Sequence, residues 1–150
     1  MNVGIASDHA GYKLKTGILA YLEKQGVACR DYGAADGERV DYVDYAVKAL
    51  AGYYAGECDR LILICGTGIG MDMVANKHKG IRGTLCVDEY MAEMSRAHNN
   101  SNCLTLGGRI LPLDEALNIV KTWLHTDFEG GRHHERMGKI ARIEEINFKS

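Results

Sequence analysis

Cys65 stands immediately before the run Gly66-Thr67-Gly68-Ile69-Gly70. A thiol that faces a helix N-terminus ionises readily, because the unpaired backbone N–H groups favour the thiolate. Such a thiolate serves as a base on a carbon-bound proton or as a nucleophile. The glycine run offers N–H groups to an anion or an oxyanion. It lacks the Lys-Ser/Thr pair of a P-loop, its third glycine comes one residue early for a dinucleotide fingerprint, and Met71 stands where a phosphatase loop would want arginine. A tight strand-to-helix turn that needs glycine only for its dihedrals stays open beside the anion cradle.

Other polar groups fall into short clusters. Asp8-His9-Ala10-Gly11, His98-Asn99 and Gly107-Gly108-Arg109 each combine acid–base or anion-binding side chains with small residues. Arg132 and Arg136 follow Gly130-Gly131 at a spacing of four, so both guanidinium groups project from one helix face. That pair suits a phosphate dianion, with a solvated face salt-bridged to Glu129 or Glu135 as the plainer alternative. His133 and His134 are adjacent and cannot both face one metal from a helix, so no metal site is expected. His78 and His125 are expected at the surface, and Cys29, Cys58, Cys86 and Cys103 in packing roles.

The elements that position these groups follow from periodicity. Residues 2–7, 28–32, 60–65, 81–87 and 103–106 read as strands. Helical periodicity covers 11–25, 42–55, a short stretch from 70, 88–97, 113–124 and 132–146. Arg60-Leu61-Ile62-Leu63-Ile64-Cys65 is apolar almost throughout, as in a strand covered on both faces. The alternation predicts an α/β fold: a Rossmann-like three-layer αβα sandwich around a five-stranded parallel sheet, spanning 1–150 as one domain. Ligands bind outside the carboxyl ends of such strands, so the four clusters are expected to converge on one rim.

Composition restricts the functional classes. The 150 residues carry a net charge of −2, which leaves no electrostatic footprint for nucleic acid or an anionic membrane. No apolar run approaches the ~20 residues of a membrane span, and no signal peptide is read at the N-terminus. Five cysteines, odd in number and without a Cys-x-x-Cys pair, argue against structural zinc or a disulfide framework and fit a reducing, cytoplasmic setting.

Taken in order, Asp8-His9-Ala10-Gly11 with Leu14-Lys15, Ile64 to Met71 with Ala75-Asn76-Lys77, His98-Asn99 with Asn102, and Gly130-Gly131-Arg132-His133 with Arg136 resemble one family over essentially the whole chain. It is the family of ribose-5-phosphate isomerase B and the galactose-6-phosphate isomerase subunits. The resemblance implies interconversion of ribose 5-phosphate and ribulose 5-phosphate without a metal or organic cofactor. It also implies a homodimer or dimer of dimers with sites between subunits, the 132–146 helix packing on the partner.

By the same resemblance, Cys65 is the base that moves the proton between C1 and C2. Gly66, Gly68, Ile69 and Gly70 with the Thr67 hydroxyl steady the enediolate, and His98 assists ring opening. Asp8, Tyr42 and Asn99 contact the sugar, while His9, Arg109, Arg132 and Arg136 hold the phosphate. The His98-Asn99 pair favours the ribose-type branch. Two departures stand out: Asp41-Tyr42-Val43 replaces Asp-Tyr-Pro, and Asp72-Met73 replaces a small Ser-Ile pair, adding a carboxylate able to alter hydroxyl recognition or repel a misplaced phosphate. A six-carbon sugar phosphate such as allose 6-phosphate or galactose 6-phosphate stays open as the substrate, as does a non-catalytic sugar-phosphate-binding module.

Overall fold

The computed structural model describes residues 1–148; Lys149 and Ser150, the end of the expected domain, lie outside the described residues. Five parallel strands, β1 (Asn2–Ser7), β2 (Ala28–Asp31), β3 (Arg60–Cys65), β4 (Gly83–Leu85) and β5 (Cys103–Gly107), form one sheet in the order β2-β1-β3-β5-β4. Helices α1 (Tyr12–Lys24), α2 (Tyr42–Tyr54), α3 (Ile69–Ala75), α4 (Glu89–Ala97), α5 (Leu113–His125) and α6 (Arg132–Asn147) connect or follow them. The expected αβα architecture is thereby met.

Side-chain alternation along the central strands divides the core in two. Val3, Ile5, Ile62 and Ile64 face a layer built on Leu14, Ile18 and Leu22 of α1 and Ile119, Val120 and Trp123 of α5. Ala6, Leu61, Leu63 and Cys65 face Ala46, Ala49 and Leu50 of α2 and Met71 and Ala75 of α3. Because both faces are covered, β3 needs apolar residues at every position, which is the pattern its sequence shows. Cys65 is the last residue of that run and inherits the α3 side.

The edge strand β4 is shorter than the 81–87 periodicity suggests. The Arg82 N–H donates to Asn102 Oδ1 (2.7 Å) instead of entering the ladder, and Asp88 caps α4 by accepting from the Met91 N–H (2.7 Å). A side chain thus claims the N–H just before the strand, and the start of α4 bounds the chain that follows it. Helix α6 departs from the layered body. His133 is its one buried residue among those described, and Ile140, Ile143 and Ile146 stand 45–67% exposed.

One buried charge fastens the front of the sheet. Lys15 is 1% exposed and donates to both Asp31 carboxylate oxygens (2.7 and 2.9 Å) and to the Ala34 carbonyl (2.6 Å). Two backbone bonds lie beside it, from Ser7 N–H to Gly33 O and from Ala34 N–H to Ser7 O. They pin the chain leaving β2 against the end of β1. Lys15→Met leaves the Ala34 carbonyl buried without its donor and is expected to cost about 1–3 kcal/mol of stability in urea denaturation. A midpoint unchanged from the parent would count against this fastening.

Candidate active site

Strands β1 and β3 are neighbours whose connections leave in opposite directions, which opens a crevice beyond their carboxyl ends. Asp8 and Cys65 occupy those two ends. The Asp8 N–H donates to Ile64 O, and its carboxylate accepts from the Gly11 N–H (3.0 Å), closing the turn that leads into α1. Gly11 is obligatory because a Cβ there would sit 2.6 Å from the Ile64 carbonyl oxygen. His9 meets the backbone of Val40 through Nδ1 (3.2 Å to O, 3.3 Å to N), which ties the crevice wall to the loop before α2.

The glycine loop closes the floor. The Gly68 N–H donates to Cys65 Sγ (3.2 Å), which fixes the sulfur at the start of the glycine loop. Gly68 has φ +82°, in the left-handed region, and a Cβ on it would strike the Leu106 backbone at 2.9 Å. The Ile69 N–H donates to Thr67 Oγ1 (3.3 Å), so the hydroxyl hydrogen of Thr67 stays free to donate outward. Two bonds from the turn after β5, Gly108 N–H to Cys65 O (2.8 Å) and Arg109 N–H to Gly66 O (2.9 Å), lock the loop in place. They bring the Arg109 side chain over Gly66, and Tyr42 packs on Gly70. Asp8, His9, Tyr42, Cys65, Gly66, Thr67, Gly68, Ile69, Gly70 and Arg109 thus share one rim.

His98, Asn99, Arg132 and Arg136 do not. His98 is the C-cap of α4, and the turn after it enters β5 at Cys103. Cys103 pairs with Leu61 at the start of β3, whereas Cys65 pairs with Gly107 at the end of β5. Four residues of extended chain, about 13 Å, separate these two levels. The expected convergence of all four clusters on one rim of one chain is therefore wrong. A crossover helix runs antiparallel to its strands, so its C-terminus arrives at the opposite edge.

That opposite edge is organised by arginines. Arg96, 6% exposed, donates from Nε to Thr126 O (3.2 Å) and through its guanidinium to Asn100 Oδ1 and Ser101 O. Burial, then Arg60 and Arg82 nearby, lower its pKa to about 10, still cationic at neutral pH, while Asp127 opposes the shift. Arg60 donates to the last carbonyls of α5, at Trp123 and Leu124. The Glu129 N–H then bonds Ala97 O (3.0 Å), setting Glu129 beside His98. Arg132 and Arg136 are exposed, and neither is ion-paired among the described residues, so the plainer alternative of salt bridges to Glu129 or Glu135 is not met there.

Sequence spacing missed His133 and Glu129. The His133 ring stacks on His98 with centroids 4.1 Å apart and planes 10° from parallel, and Glu129 Oε2 lies 3.5 Å from His133 Nε2 and 3.9 Å from His98 Nε2. These three donors lie within 4.8 Å of one another. A metal binds imidazole in the ring plane at about 2.0–2.1 Å, and two parallel rings stacked this far apart present no common in-plane point. The arrangement suits proton exchange better than metal binding.

The remaining cysteines behave as packing residues. Burial pushes the Cys86 thiol up to about 11 and Cys29 to about 12, and raises Cys58 and Cys103 as well, so all four hold their protons at neutral pH. His78 is half-buried, not superficial, with Nδ1 2.8 Å from Val74 O. Asp72 accepts from Thr105 Oγ1 (3.0 Å) and from Asn76 Nδ2 (3.3 Å), so its carboxylate is committed to these partners. Burial raises its pKa against the opposing pull of those hydrogen bonds. A carboxyl with a raised folded-state pKa favours folding below the ordinary carboxylate range and disfavours it as pH climbs through the raised value. Asp72→Asn is therefore expected to gain stability relative to the parent as pH rises from acid to neutral; a stability difference independent of pH would contradict this assignment.

Comparison with known proteins now has a geometry to meet. Residues 3–140 match the family model described as Ribose/Galactose Isomerase. The chain is 43% identical over 143 residues to ribose-5-phosphate isomerase B of Escherichia coli strain K12, covering 95% of this chain and 96% of that protein. It is similar to the solved Clostridium thermocellum ribose-5-phosphate isomerase B, with a TM-score of 0.95, 51% identity and coverage of 97% of this chain and 99% of that one. A Mycoplasma genitalium ribose-5-phosphate isomerase B solved with bound ribulose-5-phosphate aligns with a TM-score of 0.90 at 40% identity, covering 96% of each chain. With the family model matched over residues 3–140 and these relatives matched over nearly their whole length, the chain belongs to the ribose/galactose isomerase family, on the ribose-5-phosphate isomerase B side.

Proposed function

We propose that this aldose–ketose isomerase interconverts ribose 5-phosphate and ribulose 5-phosphate at a site shared by two copies of the chain. The observation that carries the proposal is the separation of two incomplete halves. One rim holds a base, an oxyanion cradle and a single arginine; the opposite edge holds an imidazole pair, an asparagine and two unpaired arginines. A two-fold axis that brings one copy's rim to the other's edge completes two equivalent sites at once. The exposed Ile140, Ile143 and Ile146 of α6 give that contact its apolar area. Among the described residues no helix is long and apolar enough to cross a membrane, and a cytoplasmic setting is part of the proposal.

The chemistry divides accordingly. The Cys65 sulfur, held by the Gly68 N–H, takes the C2 proton of the open-chain aldose. Charge develops on the enediolate oxygens, where the loop N–H groups and the Thr67 hydroxyl donate. The hydroxyl proton on O2 moves to O1, Cys65 returns its proton to C1, and the ketose results. No metal or organic cofactor takes part in this scheme. His98 and Asn99 of the partner subunit face the sugar, with His98 assisting furanose opening. Asp8 and Tyr42 bind hydroxyls, and His9 and Arg109 meet Arg132 and Arg136 of the partner subunit around the phosphate. Phosphate binding energy positions C1 and C2 without entering the reaction.

Proton exchange at C2 in deuterated water, followed by NMR with ribose 5-phosphate, is the direct test. Cys65→Ala is expected to lower exchange and turnover together by about 100-fold or more, whereas undiminished turnover would refute the assigned base. Arg132→Ala should raise KM about tenfold or more with a smaller change in kcat; an unaltered KM would remove Arg132 from the phosphate.

A further inference from the structure

Ring opening asks for something that Cys65 cannot supply. The C1–O4 bond breaks as O4 gains a proton, and C1=O1 forms as the anomeric hydroxyl loses one. A group that does both must hold one proton at neutral pH and recover it within the same event. His98 does not stand alone in meeting that demand. Its ring lies face to face with His133, whose side chain is 6% exposed, and the Glu129 carboxylate sits within 4 Å of both Nε2 atoms.

We infer that Glu129 and His133 are positioning residues for His98, fixing its ring plane and allowing the stacked pair to hold a single proton beside one carboxylate. The inference rests on the isomerase reading above. Two imidazolium rings at 4.1 Å repel strongly, while one proton next to Glu129 is compensated. The charged groups facing the pair are Glu129 from the segment after α5 and Arg132 and Arg136 from α6, and the arginines oppose a second proton. Burial, then His98 and the two arginines, hold His133 below the ordinary histidine range, with Glu129 opposing them. The frame is built into the backbone. Glu129 is set by its N–H bond to Ala97 O, the residue before His98, and the His133 N–H donates to Gly130 O across the turn into α6. During opening the cluster gives its proton to O4 and takes the anomeric proton, so its charge is the same before and after.

Ribulose 5-phosphate cannot close a furanose ring, because its C5 oxygen carries the phosphate. Its consumption therefore needs Cys65 but no ring opening, and the two directions separate the steps. In Glu129→Gln and in His133→Ala, turnover starting from ribose 5-phosphate is expected to fall by about tenfold or more while turnover starting from ribulose 5-phosphate stays within about twofold. Glu129→Asp, which keeps the charge, should recover much of the loss. The alkaline limb of the ribose-direction profile should move to lower pH in Glu129→Gln, because the pair then loses its proton more easily. Glu129 is exposed, so its variants leave the core intact, and His133→Phe refills the buried site should His133→Ala unfold. Equal loss in both directions, or no loss in either, would overturn this inference alone. A parent enzyme that interconverts neither sugar would overturn the isomerase reading beneath it.

Discussion

Polarity of the parallel sheet is the constraint on which the rest depends. Each strand delivers its last residue to one rim, and each crossover helix, running back, delivers its own to the other. Asp8, Cys65 and Arg109 sit at or just beyond strand ends; His98 sits at a helix end. No adjustment of loops within one chain brings the two sets together across a strand of this length. In the proposed shared site a single copy carries two halves, and a second copy related by two-fold symmetry is the economical way to join them.

Given that division, each half has its own rigid mount. On the rim, hydrogen bonds from the turn after β5 hold the cysteine–glycine loop, and Lys15 with Asp31 and Ala34 holds the loop leading toward Val40 and His9. At the edge, Arg96 gathers the carbonyls of Ser101 and Thr126, and through them the turn that carries His98 and the segment that carries Glu129. Both mounts are buried cations bonded mainly to carbonyl or carboxylate oxygens, a device that orders loops lacking regular secondary structure.

Much of this was legible in the sequence, and the reasons are physical. The apolar run of β3, the amphipathic periods of α1 and α5 and the glycine loop are local patterns, so they fixed the αβα class and placed Cys65 at a strand end. The spacing of four put Arg132 and Arg136 on one helix face, but by itself it did not separate a phosphate pair from an ordinary solvated face. What spacing could not carry was direction in space. His98 was expected on the same rim as Cys65 because it precedes a strand, yet a residue before a strand enters from the opposite edge. The His98–His133 stack and its carboxylate were invisible for a related reason: 35 residues and the whole of α5 separate the two rings, and only the 126–131 segment folds them together. Asp72 looked like an added charge at the site, whereas its carboxylate is occupied by Thr105 and Asn76.

The shared site is tested most directly by mixing two inactive variants. On the proposed roles, Cys65→Ala lacks the rim base and His98→Asn lacks the edge imidazole, so neither alone is expected to turn over ribose 5-phosphate. After unfolding and refolding an equimolar mixture, half of the dimers pair one chain of each kind, and each such dimer carries one intact site and one doubly damaged site. The account predicts recovery of about a quarter of the parent activity on ribose 5-phosphate. A mixture that stays as inactive as its components, despite hybrid dimers shown by native mass spectrometry, would place Cys65 and His98 of one chain in the same site and contradict the account.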